Sequence, residues 1–221
     1  MYIKFIFILL LFISSNSWSF ENTKIKIDNF FINKYEITIT EFEKFAKSKS
    51  LLTEAEKTGG GYEWGAGWEK RPNWNYLTPY GSIPNSKLEP AVHINFFEAQ
   101  KFCNFNNGRL PTFDEWKKAA YIENGIQYEY PSGNNPMEMN TQDLLAYDKH
   151  EDVSKLKPGI NGLVAMGGNV WEWIDDIKGN NSLTAGGSWW YGSSKTKVSG
   201  AQYKPSNFYA IYVGFRCVYD N

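Results

Sequence analysis

Residues 157–176, KPGINGLVAMGGNVWEWIDD, constrain the fold more than any other part of this chain. Four glycines permit positive φ angles or close backbone approach, which predicts tight turns. In an extended backbone, the large apolar indoles of Trp171 and Trp173 lie on one side and the carboxylate of Glu172 on the other. The segment therefore predicts an ordered loop that fixes the position of the Glu172 side chain. That carboxylate either hydrogen-bonds a nearby backbone or ligates a hard cation.

Residues 1–19 differ in character from the rest of the chain. One lysine precedes an apolar run over residues 5–13, and small polar residues follow it. This pattern predicts a secretory signal peptide cleaved before Phe20, because the run is shorter than the about 20 residues that cross a bilayer. The mature protein is expected to be periplasmic or secreted, with no membrane span.

Residues 20–221 are expected to form one domain, because about 200 residues can build a single core. The formal charge of −1 gives no basic face, which argues against nucleic acid or a polybasic membrane patch as a partner. The chain has two cysteines, Cys103 and Cys217. An even number in an oxidising compartment predicts a disulfide, with two buried free thiols as the alternative.

Local patterns predict a mixture of helices and strands. Residues 24–35 read as a hairpin, and a helix is expected after Thr40 as its N-cap. A second helix is expected within residues 89–106, and a third begins at Thr112, where Glu115 completes a capping box. Strands are expected at residues 183–190 and, as one continuous strand, at 210–219. Residues 53–90 show no periodicity and predict a long loop pinned by its aromatic side chains. Alternatively, some of these aromatic side chains face outward and line a groove for sugar or peptide.

Four motifs in order resemble the formylglycine-generating enzyme family, also called sulfatase-modifying factors. They are residues 107–116 (NGRLPTFDEW), 168–173 (GNVWEW), 186–189 (GGSW) and 214–217 (GFRC), supported by YEIT at residues 35–38. The resemblance covers essentially the whole mature chain. It implies an α+β, C-type-lectin-like fold in a single compact domain with little regular secondary structure, and a disulfide between Cys103 and Cys217.

The resemblance also implies bound Ca²⁺. One family site falls on Gly168, Val170 and Glu172, and its fourth ligand falls on Ala165, where relatives have Asn or Asp. The loss of that oxygen weakens the site. The other family site begins at Asn140 and Thr141, with its acidic partner at Asp148 or Asp152.

The chain departs from the family after the GGSW motif. Formylglycine-generating enzymes carry there two cysteines, five residues apart, that bind Cu(I) as soft thiolates. Those positions are Tyr191 and Thr196 here. Neither side chain binds Cu(I), so no copper is expected and formylglycine formation by the copper route is disfavoured.

Three functions fit this sequence. The first is a non-oxidising binding or maturation module of the bacterial envelope, with a groove for a peptide, protein or glycan; Arg216 then contacts a loop carbonyl as a structural residue. The second is an enzyme of different chemistry, such as cofactor or siderophore maturation, or formylglycine generation by an unrecognised route; iron chemistry is disfavoured because only His93 and His150 are present. The third is a lectin-like hypervariable face at residues 189–210.

For the first function, the residues expected to line the groove are Trp189, Trp190, Tyr191 and Tyr203.

Overall fold

A computed structural model describes residues 20–144 and 148–221. The helices are α1 (Ile39–Lys49), α2 (Glu54–Lys57), α3 (Phe96–Phe105) and α4 (Phe113–Tyr121). The strands are β1 (Lys24–Ile27), β2 (Phe30–Asn33), β3 (Gly60–Trp64), β4 (Trp68–Pro72), β5 (Ile122–Glu123), β6 (Ile126–Gln127), β7 (Trp171–Lys178), β8 (Asn181–Ala185), β9 (Gln202–Pro205), β10 (Val213–Gly214) and β11 (Val218–Asp220). Short 3-10 turns connect them. The predicted signal peptide lies outside the described residues.

A capping box begins each of the four α-helices in the described residues. At α4, Thr112 accepts from the Glu115 N–H and the Glu115 carboxylate accepts from the Thr112 N–H, as predicted. The predicted N-cap Thr40 is wrong. Thr38 caps α1 instead, because Glu41 lies three residues after Thr38 and completes the box.

Two sheets and two separate ribbons make up the strand structure of the described residues. One sheet has the order β1-β2-β11, and its β1-β2 pair confirms the predicted hairpin. The other has the order β10-β7-β8-β9. The expected single strand at 210–219 is wrong, because the chain pairs parallel with β7 at β10 and then moves to pair antiparallel with β2 at β11.

Residues 53–90 contain more regular structure than their sequence predicts. They include α2 and the antiparallel ribbon of β3 and β4, in which Trp64 lies opposite Trp68. The alternation is hidden because β3 begins with two glycines and β4 ends with a proline opposite the first of them. The ribbon runs beside the C-terminal part of the chain, where the Ile211 N–H donates to the Tyr62 carbonyl at 3.0 Å.

Apolar side chains form two buried clusters on the two sides of the sheet that contains β7. The larger includes Phe42, Phe102, Trp171, Trp173 and Phe215. The smaller cluster contains side chains from β1, β2, α4, β7 and β8. In the described ranges, 20–144 and 148–221, no helix is both long and apolar enough to span a membrane.

Candidate functional site

The sheet of β10, β7, β8 and β9 sorts the side chains of the central motif onto two faces. Trp171 and Trp173 are buried in the larger cluster, whereas Ile174 packs in the smaller one. Glu172 points away from its two neighbours and reaches Trp116 in the smaller cluster. This is the alternation that an extended backbone imposes on successive side chains.

Glu172 is the centre of a buried polar network. Its carboxylate accepts hydrogen bonds from Trp116 Nε1 at 2.7 Å and from Arg216 Nε at 2.9 Å and Nη2 at 2.6 Å. Arg216 also donates to the carbonyls of Asn33 at 3.0 Å and Val164 at 2.8 Å. The predicted structural role of Arg216 is confirmed. The network joins β2, α4, β7 and the segment before β11.

A second buried carboxyl group, Glu36, lies beside this network. It accepts from the backbone N–H of Val170 at 3.2 Å and from the Asn169 side chain. Burial, and then the negative charge of Glu172, raise the pKa of Glu36 well above its usual value, although Arg216 opposes the shift. Sequence reasoning did not identify this role, although Glu36 belongs to the YEIT motif.

The structure brings the two predicted calcium segments together. Asn140 and Gly168 form an isolated parallel bridge, and the Asn140 carbonyl accepts from the Asn169 N–H at 2.7 Å. A Cβ at Gly168 would lie 2.3 Å from the Asn140 carbonyl oxygen, so only glycine fits there. Asn140 Oδ1 and Thr141 Oγ1 are buried without a hydrogen-bond partner. Orphaned buried oxygens of this kind fit a hard cation.

The two acidic residues predicted for this site differ in their surroundings. The Asp152 carboxylate accepts from Ser86 at 2.6 Å and from the Ser154 N–H at 2.8 Å, while Asp148 is exposed. In the described part of the chain, no group of three or more His, Cys, Asp or Glu residues is arranged to hold a metal.

At the second predicted calcium site, Gly168, Val170 and Glu172 have only backbone oxygens free to ligate a cation. The Glu172 carboxylate is already held by Trp116 and Arg216. Ala165 adopts a left-handed conformation with φ of 58°, which Asn tolerates better than Ala. The conformation at this position would therefore suit an Asn side chain better than the Ala present.

Both cysteines of the chain are joined in one buried disulfide. Cys103 on α3 bonds to Cys217, with a Cα separation of 5.5 Å. This confirms the predicted bridge and excludes the alternative of two free thiols. It also leaves no thiolate for Cu(I), since the chain has only these two cysteines.

Tyr191 and Thr196, the two positions where the resemblance implies copper-binding cysteines, differ in environment. Tyr191 is half-buried and its ring lies edge-on to Trp171, with ring centres 5.6 Å apart. Thr196 is fully buried, and its hydroxyl donates to the Ser193 carbonyl at 2.8 Å. A phenol and an internally bonded hydroxyl are hard, neutral groups, so the residues present do not fit Cu(I).

Both histidines have protein partners. His93 Nε2 lies 3.0 Å from the Pro79 carbonyl, and burial lowers the pKa of His93 to about 3. His150 Nε2 lies 3.0 Å from a Glu89 oxygen, and its Nδ1 lies 3.2 Å from the Tyr80 hydroxyl. His93 is a fully buried core side chain.

An open cavity of about 860 Å³ lies beside the cluster of Trp171 and Trp173. Most of its wall is aromatic, and four regions far apart in the chain contribute to it: the start of α2, the β3-β4 ribbon, the start of α3 and residues 191–209. The lining residues are Glu54, Tyr62, Trp68, Asn95, Phe97, Tyr191, Gln202, Tyr203, Lys204, Pro205, Asn207, Phe208 and Tyr209.

The four predicted groove residues have three different placements. Tyr191 and Tyr203 lie on the cavity wall, although the Tyr203 hydroxyl donates to Asp176 at 2.8 Å and its ring packs against the smaller cluster. Trp189 belongs to the larger buried cluster. Trp190 is 41% exposed and lies outside the cavity wall. Trp68, 47% exposed, is a wall residue from residues 53–90, where outward-facing aromatic side chains were the alternative expectation.

Comparisons with known proteins show what this chain and its fold are similar to. A model of the sulfatase-modifying factor enzyme 1-like domain matches residues 14–221. The formylglycine-generating enzyme of Mus musculus is 25% identical, covering 90% of this chain and 68% of that protein. The inactive C-alpha-formylglycine-generating enzyme 2 of Mus musculus is 29% identical, covering 68% of this chain and 59% of that protein. The structure of PvdO from Pseudomonas aeruginosa is similar with a TM-score of 0.67 at 17% identity, covering 87% of this chain and 80% of that one.

Proposed function

The chain belongs to the sulfatase-modifying factor enzyme 1-like family and has its mixed helix-and-sheet fold in one compact domain, and on that premise we propose that it is a non-oxidising binding or maturation module. The aromatic cavity holds a peptide, protein or glycan ligand, and no thiol is oxidised there. We place the module outside the cytoplasm, in the periplasm or secreted, because of the signal-peptide pattern of residues 1–19.

One observation carries the proposal. The family's copper positions hold Tyr191 and Thr196, and the chain's only thiols are consumed in the disulfide between Cys103 and Cys217. The chemistry of a soft copper site therefore has no ligands here, while the cavity beside Tyr191 is retained. A similar protein in Mus musculus bears the name of an inactive formylglycine-generating enzyme, which supports a non-oxidising role on this scaffold.

The wall of the cavity supports ligand binding. Trp68, Phe97, Phe208 and Tyr209 give flat apolar surfaces, and Asn95 and Asn207 add amide groups beside them. Concave sites with many aromatic side chains and a few polar groups are typical of ligand binding. Flat rings stack on sugar faces, proline and aromatic side chains.

Calcium is proposed as a structural ion. The orphaned oxygens of Asn140 and Thr141, next to the tight approach of Gly168, fit a hard cation. Bound Ca²⁺ would hold the segment around Asn140 against the start of β7. It supplies no chemistry to the cavity.

Replacing Trp68 with Ala tests the binding proposal. We expect about a tenfold loss of affinity for ligands that the native protein selects from arrays of glycans and short peptides, because stacking and burial on the indole are lost. Trp190→Ala is the matched control, since that indole is similarly exposed but lies outside the cavity wall. Affinities are compared by biolayer interferometry. Binding in this cavity would be refuted if both variants lose affinity for the selected ligands equally. It would also be refuted if neither variant loses affinity.

A further inference from the structure

Lys204 is an unusual residue in the wall of this cavity. It lies on β9, in register with Ser182 of β8, and shares a sheet face with Thr184 and Trp171. Its Nζ donates to Thr184 Oγ1 at 2.6 Å and lies 4.1 Å from the centre of the Trp171 ring. No ion pair within residues 20–144 and 148–221 includes Lys204.

The immediate surroundings of Lys204 provide no negative charge. Thr184 and Trp171 offer a hydroxyl and the face of a ring, and Glu172 on β7 points to the other side of the sheet, where Arg216 holds it. The charged group that acts on Lys204 is Lys195, which repels it. Glu54 is the only carboxylate among the lining residues of the described chain, and it lies within 3.9 Å of Lys57 instead.

A partly buried ammonium group without a counter-ion is costly unless a partner is supplied. Lysine has three N–H donors, and one hydrogen bond to Thr184 Oγ1 satisfies only one of them. The Trp171 ring stabilises the cation on one side. The open side of the residue is the cavity, so its remaining donors face either water or an acceptor on a bound ligand.

We infer that Lys204 is the anion-binding group of the cavity, and that the ligand presents a carboxylate beside a flat apolar face. The flat face stacks on the aromatic wall and the carboxylate pairs with Lys204 Nζ, next to Trp171. This inference rests on the proposed binding function and names the chemical class of its ligand. A uronic sugar and an acidic or C-terminal peptide group would share this chemistry.

The ionisation of Lys204 gives the pairing a characteristic pH dependence. Burial, and then repulsion by Lys195, lower the pKa of Lys204 to about 7. A bound carboxylate favours the charged amine, so binding takes up a proton when the pH is above 7. Affinity for a carboxylate should therefore be highest below pH 7 and fall as the pH rises above it. Burial raises the pKa of Tyr191 from 10, so that phenol stays neutral in this range.

The test compares acids with their neutral analogues on the full-length mature protein. Phenylacetate is compared with phenylacetamide, and glucuronate with glucose, by NMR titration that follows the Trp68 indole N–H between pH 6 and pH 9. We expect the acid of at least one pair to bind about tenfold more tightly than its analogue at pH 6, because hydrogen bonds between charged groups are stronger than those between neutral groups. This preference should shrink towards pH 9. The pair that shows it identifies the source of the carboxylate.

Three variants separate an anion-binding role from a structural one. Lys204→Met should fold, because it removes a buried charge, and should lose the preference for the acid. Lys204→Arg should keep the preference but lose its decline above pH 7. Lys195→Met should keep the preference and extend it to higher pH, since the repulsion that lowers the pKa of Lys204 is gone.

The inference is overturned if acid and analogue bind equally at pH 6, if neither binds, or if Lys204→Met retains the preference. Its failure is distinguishable from failure of the binding function. Array ligands that depend on Trp68 but show no preference for a carboxylate would refute the role of Lys204 and leave cavity binding intact.

Discussion

Replacing Arg216 with Met is expected to lower the free energy of unfolding by about 3–5 kcal/mol, the usual cost of breaking a buried ion pair. The guanidinium is fully buried and holds both oxygens of Glu172. Methionine fills much of the volume but leaves the Glu172 carboxylate without a counter-charge. It also removes the donors to the carbonyls of Asn33 and Val164. Urea denaturation followed by tryptophan fluorescence measures the loss.

A surface arginine provides the control for this substitution. Arg71→Met removes pairs with Glu63 and Glu69, but that side chain is 42% exposed, so the urea midpoint should hardly move. A second variant, Arg216→Met combined with Glu172→Gln, should recover part of the loss because no buried charge is left unpaired. If Arg216→Met costs no more than Arg71→Met, the buried network does not have the structural role described here.

Loss of the disulfide should destabilise the protein by about 4–5 kcal/mol in the chain-entropy model. The bridge between Cys103 and Cys217 spans a sequence separation of 114 residues, so it restricts much of the unfolded chain. It ties α3 to the segment before β11. The variant Cys103→Ala/Cys217→Ala is compared with the oxidised native protein by urea denaturation.

The effect of the substitutions themselves needs a control. This control is the native protein, fully reduced in urea and then alkylated at both thiols. It should fail to refold to native stability under conditions where the oxidised protein refolds. A double variant as stable as the oxidised native protein would show that the bridge adds nothing to the stability of this fold.

Local structure was predictable where one segment contains all the necessary interactions. The cap of α4 needs only Thr112 and Glu115, and the hairpin of β1 and β2 needs only residues 24–33. The same rule identifies Thr38 as the cap of α1 once Glu41 is taken as its partner, so that error was avoidable. By contrast, β7 (Trp171–Lys178) begins inside the segment expected to be a loop, although the alternation of Trp171, Glu172 and Trp173 was visible in the sequence.

The cavity could not be derived from the sequence, because residues far apart in the chain form its wall. Trp68, Phe97 and Phe208 meet only after β3-β4, α3 and the C-terminal segment pack together. Lys204 follows a tyrosine in an irregular segment and resembles an ordinary surface lysine. Its burial depends on the pairing of β8 and β9, which no local pattern reveals. The departure at Tyr191 and Thr196 was visible in the sequence because it is a change of residue type at two fixed motif positions.

Metal analysis of the purified mature protein tests the central claim most directly. The protein is incubated with Ca²⁺ and with Cu(I) under anaerobic conditions, passed through a desalting column, and analysed by inductively coupled plasma mass spectrometry. A non-oxidising family member with the disulfide between Cys103 and Cys217 is predicted to retain calcium and no stoichiometric copper. Copper retained at one equivalent per chain would contradict the account, because it would mean that the protein builds a copper site without the cysteine pair.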